Sequence, residues 1–345
     1  MELGIYTFGD VPTSLRAGVT LGAEARFAHV LEEAEAAEAA GLDVFGIGEH
    51  HRPDFPVSAP DVVLSAIAAR TSRLRLTSAV TVLSSDDPVR VFQRFATLDL
   101  LSHGRAEIMV GRGSFIESFP LFGHDLGEYD ALFSEKLELL LVLRDATTVT
   151  WSGKHRAAIP GLSVYPRPVQ QPIPIWVAVG GTPESVMRAG MLGLPMALAI
   201  IGGEPARFAP LVALHRDAVR KGGREPLDIP VSINAHGFIA DTDEAAAAVF
   251  HPGWLESMTR IGRERGWPPP RRGQYEHEIG PDGALLVGSP ETVARKIIRQ
   301  RAIFGHERFL MQLSVGGVPH DAMLRAIELY GGRVKPMVDE AVQGA

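Results

Sequence analysis

Along the chain, short apolar runs alternate with stretches whose apolar residues recur at helical spacing. Residues 2–8 read as a first strand. Over 24–40, Phe27, Val30, Leu31, Ala34 and Ala37 share one helical face, and Gly41 follows where a left-handed C-cap belongs. A second strand at 42–48, a helix near 59–70 and a third strand at 74–83 come next. Asp87 then stands as N-cap, with Pro88 at the first helical position and Val91, Phe92, Phe95 and Leu98 as the buried stripe. A fourth strand at 105–110 leads to a helix over 127–144. Residues 146–172, with Trp151, Pro160, Pro166, Pro168 and Pro172, read as a surface excursion. Strands at 173–179, 196–201 and 229–239 follow, the first two succeeded by helices starting at Pro183 and near 204. An insertion at 241–283 then carries an Ala-rich helix (243–265) and the segment WPPPRRGQYEHEIGPDG. A helix from Pro290, a strand at 308–314 and a helix over 320–331 complete the pattern.

Eight strands, each followed by a helix or an excursion leading to one, predict a (β/α)8 TIM barrel with an insertion after strand seven. Strands two, five and six are almost continuously apolar, as parallel strands covered on both faces are. A doubly wound sheet would share the alternation, but no GxGxxG follows strand one. The chain is read as one domain over 1–345.

Composition removes several kinds of chemistry. The 345 residues contain no cysteine, which excludes disulfides, thiolate metal sites and a cysteine nucleophile. A formal net charge of −7 gives no general attraction to nucleic acid or anionic membrane. No apolar stretch is long enough for a membrane helix, and MELGIYTFGD lacks the pattern of a signal peptide. A cytoplasmic protein is expected.

Barrel active sites lie at the C-terminal strand ends, so the polar endings there are the candidates. Strand two closes in Glu49-His50-His51-Arg52, strand three in Ser84-Ser85-Asp86, and strand four in Gly111-Arg112-Gly113-Ser114. Strand five closes in Gly180-Gly181-Thr182, and strand eight carries Gln312 and Ser314. Gly180, Gly181 and Thr182 precede a helix whose free N–H groups suit a phosphate. LVGSPETVA at 286–294 has nearly the same pattern and serves as an internal control, so one of the two is open to being a plain cap. Arg112, between glycines, is placed either to reach a phosphate as a planar donor fork or to form a surface ion pair. His50 and His51 point to opposite sides of an extended chain, which argues against a shared metal, and no metal site is expected. A bound organic cofactor is the natural source of hard chemistry here.

The ordered block GEHHRPDF, RLRLTSAVTVLSSDDPVRVFQRFATLDLLSHGRAEIMVGRGS, IWVAVGGTPESV and GSPETVARKI resembles the bacterial luciferase-like flavin-dependent monooxygenases. That resemblance implies FMN bound at the strand ends, with Arg112, Gly113, Gly180, Gly181 and Thr182 on its phosphate. It also implies that Ser78, Ala79, Val80 and Thr81 pass beside the ring with a non-proline cis peptide, and that His50 faces the reactive side. His50, with an ordinary imidazole pKa of about 6.5, is the expected acid/base; Glu49 either orients it or holds a structural salt bridge. The activity implied is oxidation of a small organic substrate with reduced FMN and dioxygen, in a homodimer supplied by a flavin reductase or directly by a nicotinamide. A deazaflavin-dependent dehydrogenase, a non-catalytic flavin binder and a phosphosugar barrel enzyme remain alternatives. The 241–283 insertion is either a lid or an excursion packed by its own aromatics, and Asp86 either touches the ring or caps a helix.

Overall fold

The computed structural model describes residues 1–11, 21–113 and 115–344; Ser114 lies outside them. Eight parallel strands close on themselves: β1 (Glu2–Thr7), β2 (Val44–Ile47), β3 (Arg75–Ser78), β4 (Ala106–Gly111), β5 (Ile175–Val179), β6 (Met196–Ile200), β7 (Val231–Ile239) and β8 (Arg308–Gln312). Closure runs through the β1–β8 pairing, with Tyr6 opposite Gln312, and the β7–β8 pairing, with His236 opposite Gln312. The expected (β/α)8 barrel is therefore the fold.

Period-two alternation separates two cores. Leu3, Ile5, Phe45, Ile47 and Ile108 face the surrounding helices. Tyr6, Val44, Met109, Trp176, Ala197 and Leu310 fill the barrel interior. At the N-terminal end the interior is closed by a buried ion pair. The Arg308 guanidinium donates to both Glu107 oxygens at 2.6 and 3.0 Å and lies 4.3 Å from the Trp176 ring centroid. The planar fork meets the carboxylate with two bonds, which offsets the cost of desolvating both charges.

Two expectations need correction. Strand three does not run unbroken to 83: it ends at Ser78 and resumes as a two-residue strand, Thr81–Val82. Thr77 pairs with Glu107 and Thr81 with Val110, so four steps on this strand match three on β4, and one extra residue is bulged out. The excursion after the fourth helix is an antiparallel hairpin of Thr148–Trp151 with Ile159–Ser163. Pro160 and Gly161 within its second strand, and four exposed residues there, hide the alternation that would have revealed it.

The insertion opens with the helix Asp243–Arg265, capped by the Thr242 hydroxyl, which accepts from Ala245 N–H at 3.1 Å. Its Trp254 and Tyr275 are buried against one another, ring centroids 5.0 Å apart.

Candidate active site

The bulge in strand three lies in the mouth of the barrel, and the non-proline cis peptide falls at Ala79–Val80. Small residues surround it. A Cβ on Gly111 would come within 2.7 Å of Val80, and one on Gly48 within 2.9 Å of the Ala79 carbonyl. Ala79 belongs to the inner cluster, with Val80 and Ala178 packed on it. Together these residues make a shallow wall with little side-chain relief. Thr81 is buried with its hydroxyl unpartnered. Ser78 differs: its hydroxyl donates to the Met109 carbonyl at 2.9 Å and accepts from the Met109 N–H at 3.1 Å. Its side chain ties β3 to β4 and is not turned to the mouth.

Glu49 holds this wall in place. Its N–H donates to the Val80 carbonyl at 3.1 Å, and its carboxylate accepts from Val82 N–H at 2.8 Å. The second carboxylate oxygen is 3.0 Å from His51 Nε2. Of the two roles open to Glu49, orienting His50 or holding a structural contact, the geometry gives the second: alternation along the strand end brings it to His51.

His50 sits in an aromatic cage, its ring centroid 4.4 Å from Phe8, 4.8 Å from Phe55 and 5.3 Å from Phe115. Nδ1 is buried without a partner. Burial pushes its pKa down to about 3, Asp54 opposing and Arg52 and His51 reinforcing the shift. The expectation of an ordinary imidazole pKa is thus corrected. His50 is neutral at physiological pH and is equipped to share a hydrogen bond, not to carry a stored proton.

On the neighbouring rim, Arg112 and Thr182 converge. Arg112 donates to the Thr182 hydroxyl at 3.1 Å and to Asp130 at 2.5 Å, and its guanidinium lies 5.0 Å from the Tyr129 ring centroid. Tyr129 in turn donates to the Gly113 carbonyl at 2.7 Å. Thr182 precedes the helix Pro183–Met191 but makes no side-chain cap on it. The control motif behaves differently: Ser289 accepts from Thr292 N–H and caps the helix Pro290–Phe304 in the ordinary way. Gly181 has φ of +116°, and a Cβ on Gly180 or Gly181 would meet nothing within 4 Å among the described residues. The first turn of this helix therefore opens onto free space beside a guanidinium, whereas its look-alike is a cap.

Asp87 caps its helix through Val89 and Arg90 N–H at 2.9 and 3.1 Å. Asp86 pairs with Arg94 and accepts from Asp87 N–H, so its carboxylate is engaged within the loop.

Across the mouth, β1, β7 and β8 contribute polar side chains of which the sequence reading named Gln312 and Ser314 and missed Asp10 and His236. Ser314 donates to Asp10 at 2.9 Å, and the Gln312 amide donates to the Ser314 carbonyl at 2.9 Å. A parity count would have found His236, which is paired with inward-facing Gln312. Asp10 had no such signal, because it lies beyond the end of β1.

The insertion reaches this mouth. Arg52 donates to Asp54 at 3.2 Å, to Glu264 at 2.6 Å and to Glu117, while Arg260 contacts Asp54 at 2.8 Å. The helix Asp243–Arg265 is thereby fastened to the turn after β2. Among the described residues no helix is long and apolar enough to cross a membrane.

Fold and site define a (β/α)8 barrel protein whose strand-end mouth joins an anion-suited rim to a flat, small-residue wall. The chain belongs to the luciferase-like monooxygenase family, which its residues 1–307 match. It is 27% identical to the 4-hydroxyprotoasukamycin monooxygenase of Streptomyces nodosus subsp. asukaensis over 331 residues, 91% of this chain and 87% of that one. A monooxygenase of Streptomyces bottropensis, RslO1, superposes with a TM-score of 0.81 at 25% identity, covering 97% of this chain and 99% of its own. An F420-dependent glucose-6-phosphate dehydrogenase of Amycolatopsis mediterranei is 31% identical over 172 residues, 48% of this chain and 51% of its own.

Proposed function

We propose that this protein is an FMN-dependent monooxygenase that oxidises a small organic substrate with dioxygen. The observation that carries the reading is the Arg112–Thr182 pair at an uncapped helix start, beside the flat wall of Gly48, Ala79 and Gly111. Such a pair suits a phosphate, and such a wall suits a planar ring.

In this reading Arg112, Gly113, Gly180, Gly181 and Thr182 hold the phosphate, the last three chiefly through backbone N–H groups. Ala79, Val80 and Thr81 support the ring, with the unpartnered Thr81 hydroxyl available to its polar edge. Reduced FMN supplies the electrons that activate dioxygen. The chain's own tasks are to orient the ring, keep water out and place one neutral hydrogen-bonding group beside it. His50 is that group, and its cage of Phe8, Phe55 and Phe115 keeps it uncharged and fixed. Glu49 acts as a positioning residue through Val82 and His51. The helix Asp243–Arg265 covers the mouth as a lid, fastened by Arg52 and Arg260. The homodimer, the cytoplasmic setting and the flavin reductase belong to the same reading and rest on family membership alone.

A deazaflavin in place of FMN is the second reading, favoured by the likeness to the F420-dependent dehydrogenase. Titration of the protein with oxidised FMN, in wild type and Arg112→Ala, separates the two. Saturable binding weakened about tenfold or more by the substitution supports FMN and the phosphate assignment. Absence of binding moves the deazaflavin forward. Equal binding by both proteins removes Arg112 from the phosphate.

A further inference from the structure

The wall opposite the cis peptide is built of polar groups that lack partners. Asp10, His236 and Gln312 are respectively 3%, 7% and 3% exposed, and each keeps one buried polar atom with no hydrogen bond among the described residues: Asp10 Oδ1, His236 Nδ1 and Gln312 Oε1. Leaving such an atom unsatisfied carries the desolvation cost of the group with nothing to offset it, so three along one rim are a costly way to fold. His236 and Gln312 are also at matched heights, with Asp10 beyond them past the end of β1. His236 and Tyr6 both pair with Gln312, and Gln312 shares the inward face of Leu310 two residues before it.

The orientation of the amide is fixed by its neighbour. Ser314 O can only accept, so Gln312 Nε2 must face it, and Oε1 is left as an acceptor with no donor among the described residues. Asp10 is held likewise: its Oδ2 accepts from the Ser314 hydroxyl and the Gly316 N–H also acts on the carboxylate, leaving Oδ1 over. Two of the three open atoms are thus acceptors once Asp10 is ionised, above about pH 7, and they are held in one chain through Ser314. A cation is a poor match for them, because Arg26 and Arg260 already lie close enough to act on the Asp10 carboxyl. An acceptor-rich occupant would leave the same atoms unpaired. What the wall lacks is donors.

We propose that Asp10, His236 and Gln312 form the substrate-side wall of the mouth and take the O–H or N–H donors of a neutral, small organic substrate. The assignment rests on the flavin reading above only in giving this wall to the substrate and the Ala79–Val80 wall to the cofactor. Specificity follows from the same cost that makes the empty wall expensive. A substrate with its donors methylated leaves the buried acceptors unpaired, and polar sites reject such analogues strongly.

The test uses FMN-loaded protein titrated with two pairs of probes: resorcinol and its dimethyl ether, and benzamide and its N,N-dimethyl derivative. Binding is followed by the flavin difference spectrum and by saturation-transfer NMR. The expected result is about a tenfold preference for the donor-bearing member of at least one pair. Asp10→Asn with Gln312→Leu should reduce it to about twofold or less, with FMN affinity unchanged. Equal binding within both pairs, no binding by any probe, or a preference that survives the double substitution overturns the proposal. So does a loss of FMN affinity in the double variant with the probe preference intact, which would give the wall to the cofactor. If wild type fails to bind FMN, the flavin reading falls separately, and the same NMR titration on the bare chain still decides for or against the donor preference. If the double variant does not fold, the preference within the wild-type pairs decides alone.

Discussion

Arg112 donates to the hydroxyl of Thr182 at 3.1 Å, across 70 residues of sequence, while Thr182 leaves its own helix uncapped. A threonine before Pro183 would ordinarily cap the helix Pro183–Met191, so its diversion to a guanidinium marks this end of the helix as a place for something else. Thr182→Val should leave folding stability nearly unchanged and weaken FMN binding. Ser289→Ala should do the reverse, costing about 1 kcal/mol by removal of a real cap without affecting FMN. Urea denaturation and flavin titration of both variants give the comparison, and equal stability losses would show that Thr182 caps in solution.

Asp130 competes for the same arginine. It is 67% exposed and bonds Arg112 at 2.5 Å, so it holds the guanidinium at a modest energy that a phosphate must overcome. Asp130→Asn should therefore tighten FMN binding by a few-fold, roughly the effect of up to 1 kcal/mol. The check is the dissociation constant at low and moderate salt, where the difference between variant and wild type should shrink as salt rises.

Glu49 illustrates how far the sequence could be read. Its place at the end of β2 was legible, as were the eight strands and the helix capped by Asp87. A shared place for Arg112 and Thr182 came only from the family resemblance. The role of Glu49 was not legible. Which histidine a carboxylate meets depends on the pleat and on the bulge at Ser78–Val80, and neither leaves a mark in local composition. The Asp10–Ser314 contact joins residues 304 apart in the chain, and no local pattern announces it. The corrected charge state of His50 has the same origin: the aromatic cage draws on Phe8, Phe55 and Phe115, from three separate segments.

With the carboxylate of Glu49 holding Val82 N–H, Glu49→Ala should leave that buried donor unpaired and destabilise the protein by about 2 kcal/mol. Glu49→Gln keeps an acceptor and should cost less. Both should weaken FMN binding in the same order if, as proposed, the 80–82 segment supports the ring. Denaturation curves with parallel flavin titrations test the ranking; a more damaging Gln variant would mean that the charge pairing with His51, not the Val82 bond, is what matters.

The response to pH has two opposed parts. His50 and His236 are pushed down by burial to about 3 and about 4, below the ordinary 6.5 they regain on unfolding. Between those values the unfolded chain binds more protons, so stability is full above about pH 6.5 and falls as the medium is acidified, by at most about 1.4 kcal/mol per pH unit per histidine. Asp10 runs the other way. Burial raises it to about 7, with Ser314, Arg26, Gly316 and Arg260 opposing, so the folded state binds the extra proton and stability declines from about pH 4 up to about pH 7. Asp10→Asn should remove that decline. The variant should gain stability relative to wild type at pH 8 and show little gain at pH 4. Urea midpoints across this range decide, and a gain that does not vary with pH would trace the effect to packing.

The insertion's attachment gives the last prediction. Arg52 is only 12% exposed, its guanidinium 4.7 Å from the Phe115 ring centroid, and it bridges Asp54, Glu117 and Glu264. A guanidinium so placed is held by several carboxylates at once, unlike an isolated surface pair. Arg52→Ala should therefore loosen the helix Asp243–Arg265 from the turn after β2 more than Glu264→Ala does. Both remove the Arg52–Glu264 contact, but only the former also takes from Asp54, the carboxylate that Arg260 of the helix contacts, the guanidinium that positions it. Limited proteolysis within 241–283 should accelerate in that order. If this helix covers the mouth, release of bound FMN should accelerate in the same order, followed by stopped-flow fluorescence against excess apoprotein. Faster proteolysis with unchanged FMN release would leave the latch intact as a structural device and remove the insertion from the path of the cofactor.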